Sequence, residues 1–480
     1  MEYLIQQGSD VNREDDTGWT AFNAAVQEGH LEAVKCLMSN GAKQNRYVGM
    51  TPLYAAAHFG HLDIVKFFIS KGADKNEEDD KGILPLHGAA INGNAEVMEY
   101  LIQQGSDENK GDAIGWTPFN AAVQYGQLEV VKYLMSKGAK QNRYVGMTPL
   151  YAAAQFGHLD IVEFFISKDA DVNEEDDDGM IALHSAAIHG NAEVMEYLIQ
   201  QGSDVNKGDA KGWTPLNAAV QYGQLDAGKY LMSKGAKQNR YVGMTQLYAA
   251  AQFGHLDFVK FFIHDGTDVN EEDDKGMIAL HSAAIHGNAE VMQYLIQQGS
   301  DVNKGDAKGW TPLNAAVQYG QLEVVQFLMA KGAEVTRFDG LTPLYIATQY
   351  DHIDVVKFLV SKGYDVNERS ECGKFPLHAA CYNGNTDIVK YLLLQNSNVN
   401  EQDDDGWSPL HAAAQEGHQD IVDYLILNGA DMNVKDIDGL TPLQVAVDAG
   451  HLNAIQGISS YRRDPDEEET AKPRSGGHQN

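Results

Sequence analysis

Residues 146–178 read GMTPLYAAAQFGHLDIVEFFISKDADVNEEDDD, and a phrase of the same form restarts at Gly179. Thr148 can cap a helix, and Pro149 stands in its first turn, where a missing N–H is harmless. Small alanines follow and allow close helix approach. Gly157 ends the run, since glycine accepts the left-handed conformation. In HLDIVEFFISKD, the residues Leu159, Ile161, Val162, Phe165 and Ile166 fall at helical spacing and predict one apolar face. The stretch therefore reads as two short antiparallel helices joined to the next pair by a polar, glycine-containing segment.

The phrase starts again at Gly18, Gly49, Gly82, Gly115, Gly146, Gly179, Gly212, Gly243, Gly276, Gly309, Gly340, Gly373, Gly406 and Gly439. The step is 33 residues, except that every third early step is 31, so three steps make a 97-residue super-repeat. No single unit can bury its apolar face alone, but stacked units can. The pattern resembles the ankyrin repeat, whose signature T-P-L-H-x-A recurs at 33 residues. The resemblance runs from Met1 to about Arg463. It implies an all-α ankyrin-repeat solenoid of stacked helix-turn-helix units with β-hairpin finger loops. It also implies protein–protein binding through a concave groove and the finger tips, and it brings no catalytic residues. At about 10 Å per unit, fourteen units and a half would run roughly 140 Å.

The chain opens on MEYLIQQGSD, which recurs at Met98 and Met195 and, with one change, at Met292. These residues match the second helix of a unit. Residues 1–17 are thus expected to be a partial repeat, 18–463 the tandem array, and 464–480 a polar tail without periodicity. The expectation is a fragment or a start at an internal methionine, with a half-repeat cap as the alternative. Met1, Leu4 and Ile5 should then lie near an exposed stack end.

Composition narrows the function classes. With 68 acidic against 36 basic side chains the net charge is -32, which opposes phosphate neutralisation by a basic face and docking on anionic lipid. The expected partners are one or more proteins, with basic or repeated surfaces, and neither nucleic acid nor direct membrane insertion. No run reaches the 18 or so apolar residues needed to span a bilayer. The three cysteines, Cys36, Cys372 and Cys381, form no disulfide framework, so a reducing compartment is expected, the cytoplasm first and the nucleus as the alternative. No phosphate loop, HExxH or paired CxxC stands in the chain, and no catalytic, cofactor or metal site is assigned. Cys372, His378 and Cys381 are close in sequence, but His378 holds the T-P-L-H place. The acidic loops put glycine too late for an EF-hand.

The histidine of T-P-L-H, a hydrogen-bonding structural residue in the family, is present as His87, His184, His281, His378 and His411. Asn23, Asn120, Asn217 and Asn314, or Tyr54, Tyr151, Tyr248 and Tyr345, replace it elsewhere. Leu84, Ile181, Ile278 and Phe375 replace the capping threonine, at a cost of about 1 kcal/mol each. Gly228 replaces the valine of the earlier copy, Val131, at roughly another 1 kcal/mol in propensity plus lost packing. Opening is expected to begin near these sites. Asn173, Asn206 and Asn270 match a position that is hydroxylated in some ankyrin proteins, and a structural turn asparagine is the alternative.

Two surfaces are candidates for binding. The resemblance points the residues just before the helix-ending glycine toward the groove. They give a ring in most units: Tyr125, Phe156, His189, Tyr222, Phe253, His286, Tyr319, Tyr350 and Tyr382. Aromatics are enriched at hot spots, and rings that merely seal the stack are the competing reading. The second surface is the fingers, of three kinds. One is basic-aromatic, at 43–47, 140–144 and 237–241, and carries Arg143, Tyr144, Arg240 and Tyr241. One is acidic, at 77–80, 174–178, 271–274 and 401–405. The third is NKGDA, at Asn109, Asn206 and Asn303. Recurrence every three units would let a repeated partner engage several sites; recent internal duplication is the competing reading. The function expected is a scaffold or adaptor. The alternatives are a cytoplasmic array of a membrane or cytoskeleton-linking protein, or a targeting subunit of a phosphatase or ubiquitin ligase.

Overall fold

A computed structural model of the chain describes residues 2–46 and 48–461. Met1, Tyr47 and the tail expected at 464–480 lie outside the described residues. In the unit that opened the reading, the Thr148 hydroxyl accepts the Tyr151 backbone N–H at 3.1 Å, and Pro149 opens the helix Pro149–Gln155. Gly157 leaves that helix at φ 74°. The second helix, Leu159–Ser167, buries Ile161, Val162 and Phe165. Leu159 and Ile166 flank that face and stay partly exposed, so the buried stripe is narrower than the spacing suggests.

The chain divides into two compact units, Met1–Val242 and Gly243–Asn480. In the first, successive first helices are Ala21–Gln27, Pro52–His58, Pro85–Ile91, Pro118–Gln124, Pro149–Gln155, Ala182–His189 and Pro215–Gln221. In the second they are Gln246–Gln252, Ala279–His286, Pro312–Gln318, Pro343–Gln349, Pro376–Asn383, Pro409–Glu416 and Pro442–Ala449. Within each unit every first helix packs on the next first helix and on its own second helix. The core is the seam between them: alanines on the first helices, such as Ala153 and Ala154, against branched and aromatic residues of the second. The short opening helix Glu2–Gln6 buries nothing, and Leu4 is 60% exposed.

Polar side chains tie each repeat to its neighbour. The imidazole Nε2 of His87 lies 2.7 Å from the Trp116 carbonyl, and those of His184, His281 and His378 lie 2.8–2.9 Å from the carbonyls of Trp213, Trp310 and Trp407. Their Nδ1 atoms, His378 excepted, accept the backbone N–H three residues back. Each such ring is therefore neutral, with its proton on Nε2. Where asparagine replaces histidine, as at Asn120, its Oδ1 accepts from the N-cap threonine instead. At the start of most second helices another side chain reaches back to the repeat before. His158 Nε2 meets the Gln124 carbonyl at 2.9 Å, and the Asn191 amide donates to the Ala154 carbonyl at 2.7 Å.

The units without a capping threonine are less weakened than expected. Leu84, Ile181, Ile278 and Phe375 are at most 1% exposed. Burying a branched side chain contributes about 1.5–3 kcal/mol, which outweighs a cap of about 1 kcal/mol. In three of the four, the histidine Nδ1 also takes the N-cap N–H. The Phe375 repeat has the burial without that bond, and its His378 Nδ1 is buried with no partner. At Ala227 and Gly228, by contrast, both residues are buried where the copy Leu128–Ser136 buries Val130 and Val131. Volume is lost there with nothing in exchange.

The described fingers carry no β-strands. Among the described residues there is no strand, only single bridges such as Tyr144 with Met147. In the long fingers an aspartate does what a second strand would do. Asp112 Oδ1 accepts the N–H of Ile114 and Trp116 at 3.0 and 2.9 Å, and closes the loop on itself. In the short finger Tyr144 and Met147 exchange two backbone bonds of 3.1 and 3.0 Å around Val145 and Gly146, at φ 50° and 79°. Two positive φ angles make the tightest hairpin turn, and it spends itself in one rung.

Candidate interaction surface

The rings at the ends of the first helices are half in solvent. Tyr125, Phe156, Tyr222, Phe253, Tyr319 and Tyr350 are 42–52% exposed, and His189 and His286 are exposed as well. Their other faces rest on the protein. The Phe156 ring stacks on His158 at 6.2 Å, Phe253 on His255 at 6.2 Å, and Tyr125 sets its edge 6.5 Å from Trp116. The His189 Nδ1 lies 2.9 Å from the Ser185 carbonyl. The rings thus pack on one side and present the other. Phe59, 42% exposed at the same register in AAAHFG, belongs with them and was missing from the sequence-based set. Tyr382 does not hold that register. It stands one residue earlier, at the place of Ile188, with Asn383 ending the helix before Gly384. It is nonetheless 49% exposed.

The fingers carry their charge in complementary order. Arg143 Nη1 meets Asp177 at 2.7 Å and its Nη2 donates to the Glu175 carbonyl at 2.6 Å, while Lys207 pairs with the Glu175 carboxylate at 2.5 Å. One super-repeat earlier Arg46 meets Asp80 at 2.6 Å, and Lys110 meets Glu78 at 2.7 Å. In the second unit Lys304 pairs with Glu272 at 2.6 Å, Arg337 with Glu368 at 2.8 Å, and Arg369 with Glu401. Each acidic finger is held from the basic finger before it or the NKGDA-type finger after it, and in the first unit from both. Carboxylates beside Arg143 hold its guanidinium above its ordinary pKa. The structure thus turns Arg143 toward the neighbouring finger. Tyr144 is half-buried beside Trp116, Met147 and Phe156, around a cavity of about 140 Å³. Tyr241 lines a different groove with Tyr151, Trp213 and Tyr222. Arg240 is exposed.

A family model described as ankyrin repeats in three copies matches residues 1–79, 63–145, 86–176, 150–242, 247–339, 344–436 and 377–469. The chain belongs to the ankyrin repeat family. Among solved structures, the crystal structure of the human ASB11 ankyrin repeat domain is similar at 26% identity over 46% of this chain and 98% of that one, with a TM-score of 0.43. No curated protein matches. Ankyrin repeats are a general protein–protein interaction module and typically act as non-catalytic scaffolds.

Side chains that suggested other chemistry have ankyrin structural partners here. Asn173 accepts the Asp204 N–H at 2.9 Å and donates to the Gly202 carbonyl, and Asn206 and Asn270 repeat the arrangement. Cys381 is fully buried, and burial pushes its thiol up, out of the range of a nucleophile. Burial holds His378 down to about 4, so it stays neutral in its ankyrin role. No helix is long and apolar enough to cross a membrane among the described residues.

Proposed function

We propose that this chain is a scaffold or adaptor that binds partner proteins through the ring-bearing ends of its first helices, and that it is not an enzyme. Residues 18–463 serve as the array and 464–480 as a polar tail in this reading. One observation carries it: rings at a fixed register stay about half exposed, repeat after repeat, although their inner faces pack. A ring recruited only to seal a stack would be covered. The finger pairings make the basic fingers the weaker candidates, since binding there must first displace an internal ion pair. The net charge of -32 favours partners with basic surfaces.

The test is affinity capture from native lysate with the intact chain and with a variant carrying Tyr125, Phe156, Tyr222, Phe253 and Tyr319 changed to alanine. Both must first show the same helical content and cooperative unfolding. A partner held by the first and lost by the second is the expected result. Equal capture by both moves the site away from the rings.

A further inference from the structure

A groove of about 630 Å³ opens in the second unit between Tyr345, Tyr382, Trp407 and Ile437. It has a sister of about 470 Å³ in the first unit, between Tyr151, Ile188 and Trp213. The two lie two super-repeats apart, and six lining positions correspond between them. Tyr345 answers Tyr151, Trp407 answers Trp213, and Asp403 answers Asp209. Three of the six differ: Lys374 for Met180, Tyr382 for Ile188, and Asp405 for Lys211. At these positions the second-unit groove has a ring for Ile188, a carboxylate for Lys211 and a lysine for Met180, while Tyr222 and Tyr241 line only the first-unit groove.

Three carboxylates, Asp403, Asp405 and Asp438, line this groove against one ammonium, Lys374. Among the described residues the Asp405 and Asp438 side chains form no ion pair, although Glu401 and Asp404 of the same finger pair with Arg369. Asp403 is 7% exposed. Its Oδ1 accepts the N–H of Asp405 and Trp407 at 3.0 and 2.8 Å, yet burial still holds its carboxyl above the ordinary value. The negative charge is therefore under-compensated in a space walled by three aromatic rings. Rings and carboxylates together favour a planar cation, because a guanidinium stacks on a ring face while its edge bonds carboxylates in pairs. The volume suits several residues of a peptide rather than one ion.

We propose that this groove is a recognition site for a partner segment bearing an arginine side chain, seated between Tyr382 and Trp407 and facing Asp405 and Asp438. The proposal rests on the protein-binding reading above and names the chemistry of one partner site. The rings of the first unit take no part in it.

A random dodecapeptide phage library panned on the intact chain tests it. Selected peptides should share an arginine at one position. Replacing that arginine by citrulline, which keeps shape and removes charge, should weaken binding at least about tenfold. The double variant Tyr382→Ile/Asp405→Lys, which installs the residues of the sister groove, should show the same loss. Should that variant unfold, Asp405→Asn alone must weaken the peptide. Tyr222→Ala, in the first unit, should leave binding unchanged. Peptides without arginine, no selected peptide, or binding indifferent to citrulline or to the groove variants overturns the assignment. A peptide that binds elsewhere does so while leaving the scaffold reading intact; that reading fails only on the lysate comparison.

Discussion

The surroundings of Trp213 and Trp407 are the same framework carrying different surfaces. His184 Nε2 lies 2.9 Å from the Trp213 carbonyl, and His378 Nε2 lies 2.8 Å from that of Trp407. Asp209 and Asp403 each accept the tryptophan backbone N–H at 2.8 Å. One framework bond differs: His184 Nδ1 accepts the Ile181 N–H at 3.1 Å, whereas His378 Nδ1 is left without a partner and the His378 ring meets the Phe375 ring edge-on, 4.0 Å between centroids. Some other differences are buried, Phe375 for Ile181 and Cys381 for Ala187, and others line the groove, Tyr382 for Ile188 and Asp405 for Lys211. Buried donors and acceptors are constrained by the cost of leaving any one unmade, while half-exposed positions are free to change. Agreement among copies therefore maps the hydrogen-bonded architecture, and the divergence on the groove wall is what the recognition proposal turns on.

The largest effect should come from breaking the shared framework. His184→Ala strands the Trp213 carbonyl and opens a cavity, and should cost about 3 kcal/mol. His378→Ala should cost about 1 kcal/mol less, because one of its bonds is already missing. Denaturant unfolding of the two variants measures both. If the losses are equal, the missing Nδ1 bond has no energetic meaning.

Acid should then separate the two places. His378 has its folded pKa near 4, below an unfolded value of 6.5. Between those values the unfolded chain binds a proton that the folded chain refuses. Stability from this ring is therefore full above about pH 6.5 and lost as pH falls toward 4, by roughly 3 kcal/mol in all. Burial depresses His184 in the same direction. Thermal midpoints followed from pH 7 to 4, with and without His378→Asn, should show a shallower acid loss in the variant. Parallel curves would place the acid sensitivity elsewhere.

The smallest effect should come from exchanging the walls. Tyr382→Ile and Asp405→Lys are surface changes, and each should leave stability within about 0.5 kcal/mol. A larger loss by either would mean that the groove wall is also architecture.

Most of the fold was legible because its causes are local. Thr148, Pro149 and Gly157 each act within a few residues, and the period of 33 follows from stacking identical helix pairs. The fingers were not legible as drawn. Whether a loop forms strands depends on where its N–H groups go, and the Asp112 carboxylate takes two of them. Leu84 and Ile181 looked like lost caps because sequence shows the missing hydroxyl and hides the burial that replaces it. Of the candidate surface, the rings were legible from register, and counting from Gly384 would have set Tyr382 apart. The Arg143 pairing was hidden because its acceptors, Asp177 and Glu175, lie in the next unit. The groove around Trp407 needed three repeats brought side by side.

The finger pairings also bear on how such an array lengthens. Arg143 leads, Glu174 and Asp177 follow, and Lys207 closes the series. Removing one repeat, 146–178, would set Arg143 beside Lys207, like charge against like. Adding or removing three at once keeps every junction intact. Within the regular super-repeats, growth by triplets conserves the pairing at each junction, so the 97-residue period carries an electrostatic rule.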